Sequence, residues 1–273
     1  MRVLFLGDVV GRSGRDTLKT HLPGLKSDLE LDFVIANGEN AAGGFGITRK
    51  ICDEFFALGI DVITTGNHVW AQSETLGFID QEKRLLRPHN YPPGTPGKGA
   101  GTYLLGDGRK VLVVNVLGRV FMEALDDPFA ALENELAAVR LGAGAGADFI
   151  FVDLHCEASS EKTALGCVLD GRVSAAIGSH THVPSADMRI LPGGTAYQSD
   201  AGMCGDYDSV IGMVKDEPIR RFQRKISGGR FSPALGEGTL CGVFIESDDA
   251  SGLATRIAPV RLGGHLQAVV PQA

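Results

Sequence analysis

The chain has 273 residues, is 44% hydrophobic, contains 37 glycines and carries a net charge of −7. That length buries a large core and permits one α/β domain over 1–273. The acidic balance without a basic run speaks against duplex nucleic acid as partner, because phosphate neutralisation needs clustered Lys and Arg. A small nucleotide, whose charge metals could meet, stays open.

The five cysteines (Cys52, Cys156, Cys167, Cys204, Cys241) are scattered and never spaced C-x-x-C. A disulfide framework or thiolate zinc site is therefore not expected, and a reducing cytoplasm fits. The start, Met1–Leu6, is too short for a signal peptide, and no apolar run approaches the roughly 20 residues that span a bilayer. The expectation is a soluble protein.

In chain order, Arg2–Leu6 reads as a buried strand ending in Gly7-Asp8. Leu18, Leu22, Leu25 and Leu29 recur at helical spacing, with an interruption expected at Pro23-Gly24. Phe33–Ala36 is a second strand, ending in Asn37-Gly38-Glu39-Asn40. After glycine-rich Ala41–Gly46, Thr48 is placed to cap a helix burying Ile51, Phe55 and Leu58. Asp61–Thr65 is a third strand, ending in Gly66-Asn67-His68. This alternation implies a largely parallel sheet covered on both faces.

Pro88–Gly101, with four prolines and four glycines, reads as an irregular loop. Thr102–Leu105 and Lys110–Val116 flank Gly106–Arg109 as a hairpin. Asp127-Pro128 opens a helix whose stripe is Phe129, Leu132, Leu136 and Val139. Phe149–Leu154 is a strand ending at His155, and Val173–Ile177 is a strand ending in Gly178-Ser179-His180-Thr181-His182. A hairpin over Met188–Leu191 and Thr195–Ser199 follows. A mostly helical Ser209–Lys225 precedes two closing strands, Thr239–Ile245 and Ala254–Leu262. Two strand-rich halves, Met1–Leu86 and Thr102–Leu262, thus each deliver polar groups from strand ends. Ligands of open α/β sheets bind there, and two sheets packed face to face would pool them.

Asp8, Glu39, Asn40, Asn67, His155, His180 and His182 offer only oxygen and nitrogen donors. In an extended segment His180 and His182 present both rings to one side. Seven such residues suit two metal ions sharing a bridging carboxylate, a device that clamps a phosphoryl group and activates water. With no thiolate, Fe or Mn is as plausible as Zn. Plainer readings exist: Asp8 as a helix cap, Asn40 and Asn67 as turn residues beside glycine, His155 as a satisfied buried histidine. Cys156 should point to the other face of its strand, into the core. Dinucleotide binding at Gly11–Gly14 fails on spacing, since no G-x-G-x-x-G follows the first strand.

Gly7-Asp8, Gly66-Asn67-His68, the single His155 and Gly178–His182 resemble the calcineurin-like metallophosphoesterases. More specifically, Gly7–Gly11, Asn37–Ala41, Gly66–Trp70 and Asp153-Leu154-His155 with Glu157 and Ser160-Glu161-Lys162 resemble the bacterial YmdB-like phosphodiesterases. The resemblance spans nearly the whole chain. It implies a four-layer αββα sandwich of two mixed sheets, a di-iron or di-manganese centre, and hydrolysis of phosphodiesters including 2′,3′-cyclic AMP. Carried over by position, one metal takes Asp8, Glu39, Asn40 and His182. The other takes Glu39, Asn67, His155 and His180, with Glu39 bridging and His68 as proton donor. Val10 stands where most of the superfamily has a His, and Glu39-Asn40 stands where it has an aspartate motif; the YmdB-like group shares both departures.

The alternatives are a 5′-nucleotidase-like phosphomonoesterase, or a metal-containing nucleotide-binding regulatory protein with weak hydrolysis. Candidate substrate contacts are Arg119, Phe121, Met122, Asp200 and Met203, with Phe121 equally readable as core. A homo-oligomer is compatible with the chain.

Overall fold

The structure, a computed structural model, describes residues 1–272. Two β-sheets lie face to face, each backed by helices. The first sheet runs in the order Asp8–Val9, Met203–Asp206, Gly238–Ser247, Arg2–Leu6, Phe33–Asn37, Val62–Thr64, Leu85–Leu86, with Ala254–Leu262 also pairing Gly238–Ser247. The second runs Arg189–Ile190, Ala196–Gln198, Ala175–Ser179, Phe149–His155, Lys110–Leu117, Ala100–Leu104.

Strand alternation builds the layers. In Arg2–Leu6, Val3 and Phe5 face the second sheet, where they join Val113, Phe149, Phe151 and Ile177 in one core. Phe5 and Phe151 meet across the sheets with ring centroids 4.8 Å apart. Leu4 and Leu6 point the other way, onto Leu18, Leu22, Leu25 and Phe55 of the covering helices Gly11–Asp28 and Arg49–Ala57. Ile150, Val152 and Leu154 likewise pack outward against Leu132, Leu136 and Leu165 of Pro128–Ala137 and Ser159–Leu169. The order helix, sheet, sheet, helix is the expected αββα sandwich of two mixed sheets.

The capping signals hold, although Val139 falls outside its helix and Leu58, Phe129 and Val139 are only partly buried. Thr48 caps its helix, its side chain accepting from Ile51 N at 3.3 Å, and Asp127 Oδ1 accepts from Phe129 N at 2.9 Å. Cys156 is buried in the outer core.

Three expectations are corrected. Helix Gly11–Asp28 runs through Pro23 without a break. A proline there costs about 3 kcal/mol, but Leu18, Leu22, Leu25 and Leu29 on both sides of it are buried on the sheet and hold one continuous face. Of Ser209–Lys225, only Asp216–Arg224 is helical. Before it, Val210 and Met213 form a bridge, with Ile211 and Gly212 at φ 46° and 94°. Finally, the halves are not contiguous. Met203–Asp206, Gly238–Ser247 and Ala254–Leu262 return to the first sheet, where Gly238–Ser247 pairs antiparallel with Arg2–Leu6.

Arg2–Leu6, Phe33–Asn37 and Val62–Thr64 run parallel in the first sheet, as do Lys110–Leu117, Phe149–His155 and Ala175–Ser179 in the second, so the carboxyl ends within each set gather at one edge. The two edges coincide. Asn37 Nδ2 of the first sheet donates to Asp153 Oδ2 of the second at 3.1 Å, and Thr64 Oγ1 donates to the same oxygen at 2.5 Å. This buried polar floor lies beneath the strand ends.

A candidate metal centre at the joined strand ends

Chain segments from both sheets converge above that floor. Asp8 follows the first strand. Glu39 and Asn40 follow Phe33–Asn37, Asn67 and His68 follow Val62–Thr64, His155 ends its own strand, and His180 and His182 follow Ala175–Ser179. Two clusters have metal-ligating geometry: Glu39, His155 and His180, and Asp8, Glu39 and His182, in each of which the donor atoms lie within 4.8 Å of one another. Glu39 belongs to both. Asn40 Nδ2 lies 3.1 Å from Glu39 Oε1 and from His182 Nε2, which places the amide beside the second cluster; its NH2 faces the cluster and its Oδ1 faces His68, so ligation through oxygen takes the flipped amide. Asn67 Oδ1 lies 3.1 Å from His155 Nε2 and joins the first. All seven residues expected at a metal site are thus brought together.

The donor set fits a cation. Asp8 Oδ1 is buried without a hydrogen-bond partner, an arrangement that costs free energy unless a positive charge meets it. The cradle needs Gly66: a Cβ there would stand 2.1 Å from His155 Nε2 and 2.3 Å from Glu39 Oε2. Burial pushes the Asp8 carboxyl up to about 6, against the lowering pull of His182 and His155. Burial also opposes ionisation of Glu39, but the charges and hydrogen bonds of His155 and His68 outweigh it and hold that carboxyl well below the usual range. For His155, burial disfavours the proton, yet Glu39 and then Asp8 push it up to about 9. Burial and the neighbouring His155 charge lower His180 to about 3.

Each histidine's second nitrogen is occupied, which fixes ring and tautomer. His155 Nδ1 lies 2.8 Å from Ser179 Oγ, which itself donates to Asp153 Oδ1 at 2.6 Å. His180 Nε2 lies 3.1 Å from Glu157 Oε2, and His182 Nδ1 lies 2.8 Å from Ile211 O. Both His180 and His182 lie beyond the strand end at Ser179 and adopt positive φ, 91° and 67°, so the extended segment expected to present both rings to one side is not formed, and the two rings enter different clusters. Such conformations cost about 1–3 kcal/mol each for a non-glycine residue and persist only where the surroundings enforce them.

His68 stands apart from the clusters but beside them. Its Nδ1 lies 2.9 Å from Asn40 Oδ1, its backbone N donates to Glu39 Oε2 at 3.1 Å, and Phe45 packs edge-on at 5.0 Å. The imidazole is thereby held by one nitrogen, with Nε2 left for the cleft.

That cleft, about 330 Å³, has Glu39, Asn40, His68, Glu157, His180 and His182 at one end. Its other wall is apolar: Phe45, Ile211, Met213, Pro218, Phe222 and Phe231. Among the described residues, no Lys or Arg lines it.

None of the candidate substrate contacts lines this cleft. Asp200 and Met203 are buried, and Asp200 pairs with Lys162 at 2.9 Å. Arg119 pairs with Asp127 at 3.2 Å, and Met122 Sδ accepts from Glu157 N. Phe121 is 90% exposed, so it is neither core nor cleft wall. The true apolar wall comes largely from Val210–Phe231. Its sequence signal is Phe222, an aromatic on the strongly charged helix Asp216–Arg224.

Comparison with known proteins finds one family over nearly the whole chain. The model of a family described as YmdB-like proteins matches residues 4–260. A 2′,3′-cyclic-nucleotide 2′-phosphodiesterase of Bacillus subtilis is 48% identical over 257 residues, 94% of this chain and 95% of that protein. Among solved structures, a hypothetical protein from Thermus thermophilus superposes with a TM-score of 0.89 at 41% identity, covering 97% of this chain and 100% of the other. A phosphatase from Mycoplasma pneumoniae gives a TM-score of 0.89 at 34% identity, covering 96% and 93%.

Proposed function

Since this chain belongs to the YmdB-like family, we propose that it is a metal-dependent phosphodiesterase that opens 2′,3′-cyclic nucleotides, 2′,3′-cyclic AMP among them. The whole chain acts as one catalytic unit. The observation that carries the reading is Glu39, common to both ligand clusters, with a singly held histidine beside it.

Asp8, Glu39, Asn40 and His182 would hold one ion, and Glu39, Asn67, His155 and His180 a second. Fe is favoured and Mn is the alternative, as the family resemblance implies; the all-oxygen-and-nitrogen donor set accommodates either. Two such ions would supply Lewis-acid charge to the phosphoryl oxygens and would acidify a water for in-line attack. The chain's own part is orientation and proton transfer. Water gives up one proton to solvent and forms the new bond to phosphorus, the bond to the ribose 2′ oxygen breaks, and His68 Nε2–H gives that oxygen its proton and is reprotonated from solvent. The product is the 3′-monophosphate. A ribose alkoxide is a poor leaving group unprotonated, so a positioned acid contributes about 10²–10⁴-fold.

Two features of the cleft support a nucleoside diester over a phosphomonoester. With no Lys or Arg among its described lining residues, no side chain there adds to the metals' charge to meet the second negative charge of a monoester. The apolar wall around Phe222, which is 73% exposed, offers a base an aromatic face. All five cysteines are free, which supports a reducing, cytoplasmic setting. Among the described residues no helix is long and apolar enough to cross a membrane.

The test is turnover of 2′,3′-cyclic AMP and of AMP by protein reconstituted with Fe²⁺ or Mn²⁺. The proposal expects 3′-AMP as product and a higher kcat/KM for the cyclic diester. Equal or better turnover of AMP would transfer the assignment to a phosphomonoesterase.

A further inference from the structure

His180 and His182 sit at positive φ on either side of Thr181, so something outside the ligand set must hold this turn. The holding group is a buried ion pair. Lys162, from helix Ser159–Leu169, is 1% exposed, and its Nζ donates to Ser179 O at 2.6 Å and to Asp200 Oδ2 at 2.9 Å. The same Asp200 oxygen accepts from Thr181 N at 3.0 Å and from Thr181 Oγ1 at 2.7 Å. Asp200 is itself fixed, its Oδ1 accepting from Gly202 N at 2.8 Å and its backbone exchanging bonds with Ser185. One ammonium and one carboxylate therefore grip the carbonyl just before His180 and the amide between the two histidines.

We propose that Lys162 and Asp200 are positioning residues for metal binding, acting through the backbone of Ser179–Thr181 to keep His180 and His182 turned into the site. The inference rests on the reading of those histidines as ligands. A buried pair is by itself weak evidence for stabilisation, because desolvation offsets much of the Coulomb gain. What distinguishes this pair is its targets. Three of its hydrogen bonds end on the two residues flanking His180, and the chain packs against the clamp closely: a Cβ on Gly178 would lie 1.8 Å from Ser199 O and 3.0 Å from Lys162 Cδ. Relaxing the turn lets the histidines return toward ordinary φ, which moves two donors belonging to different clusters. Partners that orient ligands in this way typically matter by about 10–100-fold in metal affinity.

The experiment measures Mn²⁺ affinity by competition with a fluorescent chelator, alongside circular dichroism and thermal unfolding. It compares wild type, Lys162→Met and Thr181→Val. Thr181→Val deletes only the hydroxyl bond to Asp200 and leaves the buried pair intact, so it decides alone if Lys162→Met does not fold. The expected result is affinity weakened at least tenfold in Lys162→Met and several-fold in Thr181→Val, with native spectra. A folded Lys162→Met or a Thr181→Val that binds Mn²⁺ within twofold of wild type, even with a lowered Tm, overturns the inference and makes the pair structural. Wild type that takes up no Mn²⁺ would instead overturn the metal reading beneath it.

Discussion

Glu39 Oε1 stands 3.2 Å from His155 Nε2, although one residue comes from the first sheet and the other from the second. The two side chains meet only because the carboxyl edges of both sheets coincide above Asp153. The contact has a proton consequence. At pH 7.5 His155 holds a proton, pushed up to about 9, while Glu39 is ionised and His180, lowered to about 3, is neutral. A cation entering the site has to displace that proton.

Metal affinity should therefore rise with pH. Below about 9 the ion competes with the His155 proton, so affinity is expected to tighten about tenfold per pH unit between roughly pH 6.5 and 8.5. Chelator competition at several pH values reads this directly. An affinity flat across that window would show that His155 enters the site already neutral.

His68→Ala should keep its metals and lose about 10²–10⁴-fold in kcat on 2′,3′-cyclic AMP. Bis-nitrophenyl phosphate, whose leaving group is stable as an anion, should lose much less. Equal losses on the two substrates with metals retained would mean that His68 stabilises phosphoryl charge. Loss of metal would make it a ligand or its support.

Phe222→Ala tests the apolar wall. Stacking of a base on an aromatic face is worth about 1–3 kcal/mol, so kcat/KM for 2′,3′-cyclic AMP should fall by roughly 5–150-fold. Glycerol 1,2-cyclic phosphate, which carries no base, should be turned over as by wild type. An unchanged kcat/KM for the nucleotide would remove Phe222 from substrate recognition.

Much of this site was legible because a parallel strand announces its carboxyl end. An apolar run followed by Gly-Asp, Gly-Glu-Asn or Gly-Asn-His is a local pattern, and the αββα reading came with the resemblance those motifs carry. What escaped was set by distant pairing. Gly238–Ser247 lies beside Arg2–Leu6, a pairing that alternation along either strand cannot express. Pro23 predicts a break that the buried leucine stripe overrides. Asp200 looked like a substrate contact next to Tyr197–Ser199, yet its partner Lys162 lies 38 residues away and both are buried. The cleft wall escaped because Val210–Phe231 is regular only over Asp216–Arg224, and its apolar side chains Ile211 and Phe222 stand exposed to the cleft and form no buried stripe.

The most direct measurement is metal content per chain after reconstitution of apo-protein with Fe²⁺ or Mn²⁺, for wild type and Glu39→Ala. Because Glu39 serves both clusters, wild type should hold two ions and Glu39→Ala should lose occupancy of both sites together, along with turnover of 2′,3′-cyclic AMP. At most one ion in fully active wild type, or two ions retained by Glu39→Ala, would contradict the shared-carboxylate centre.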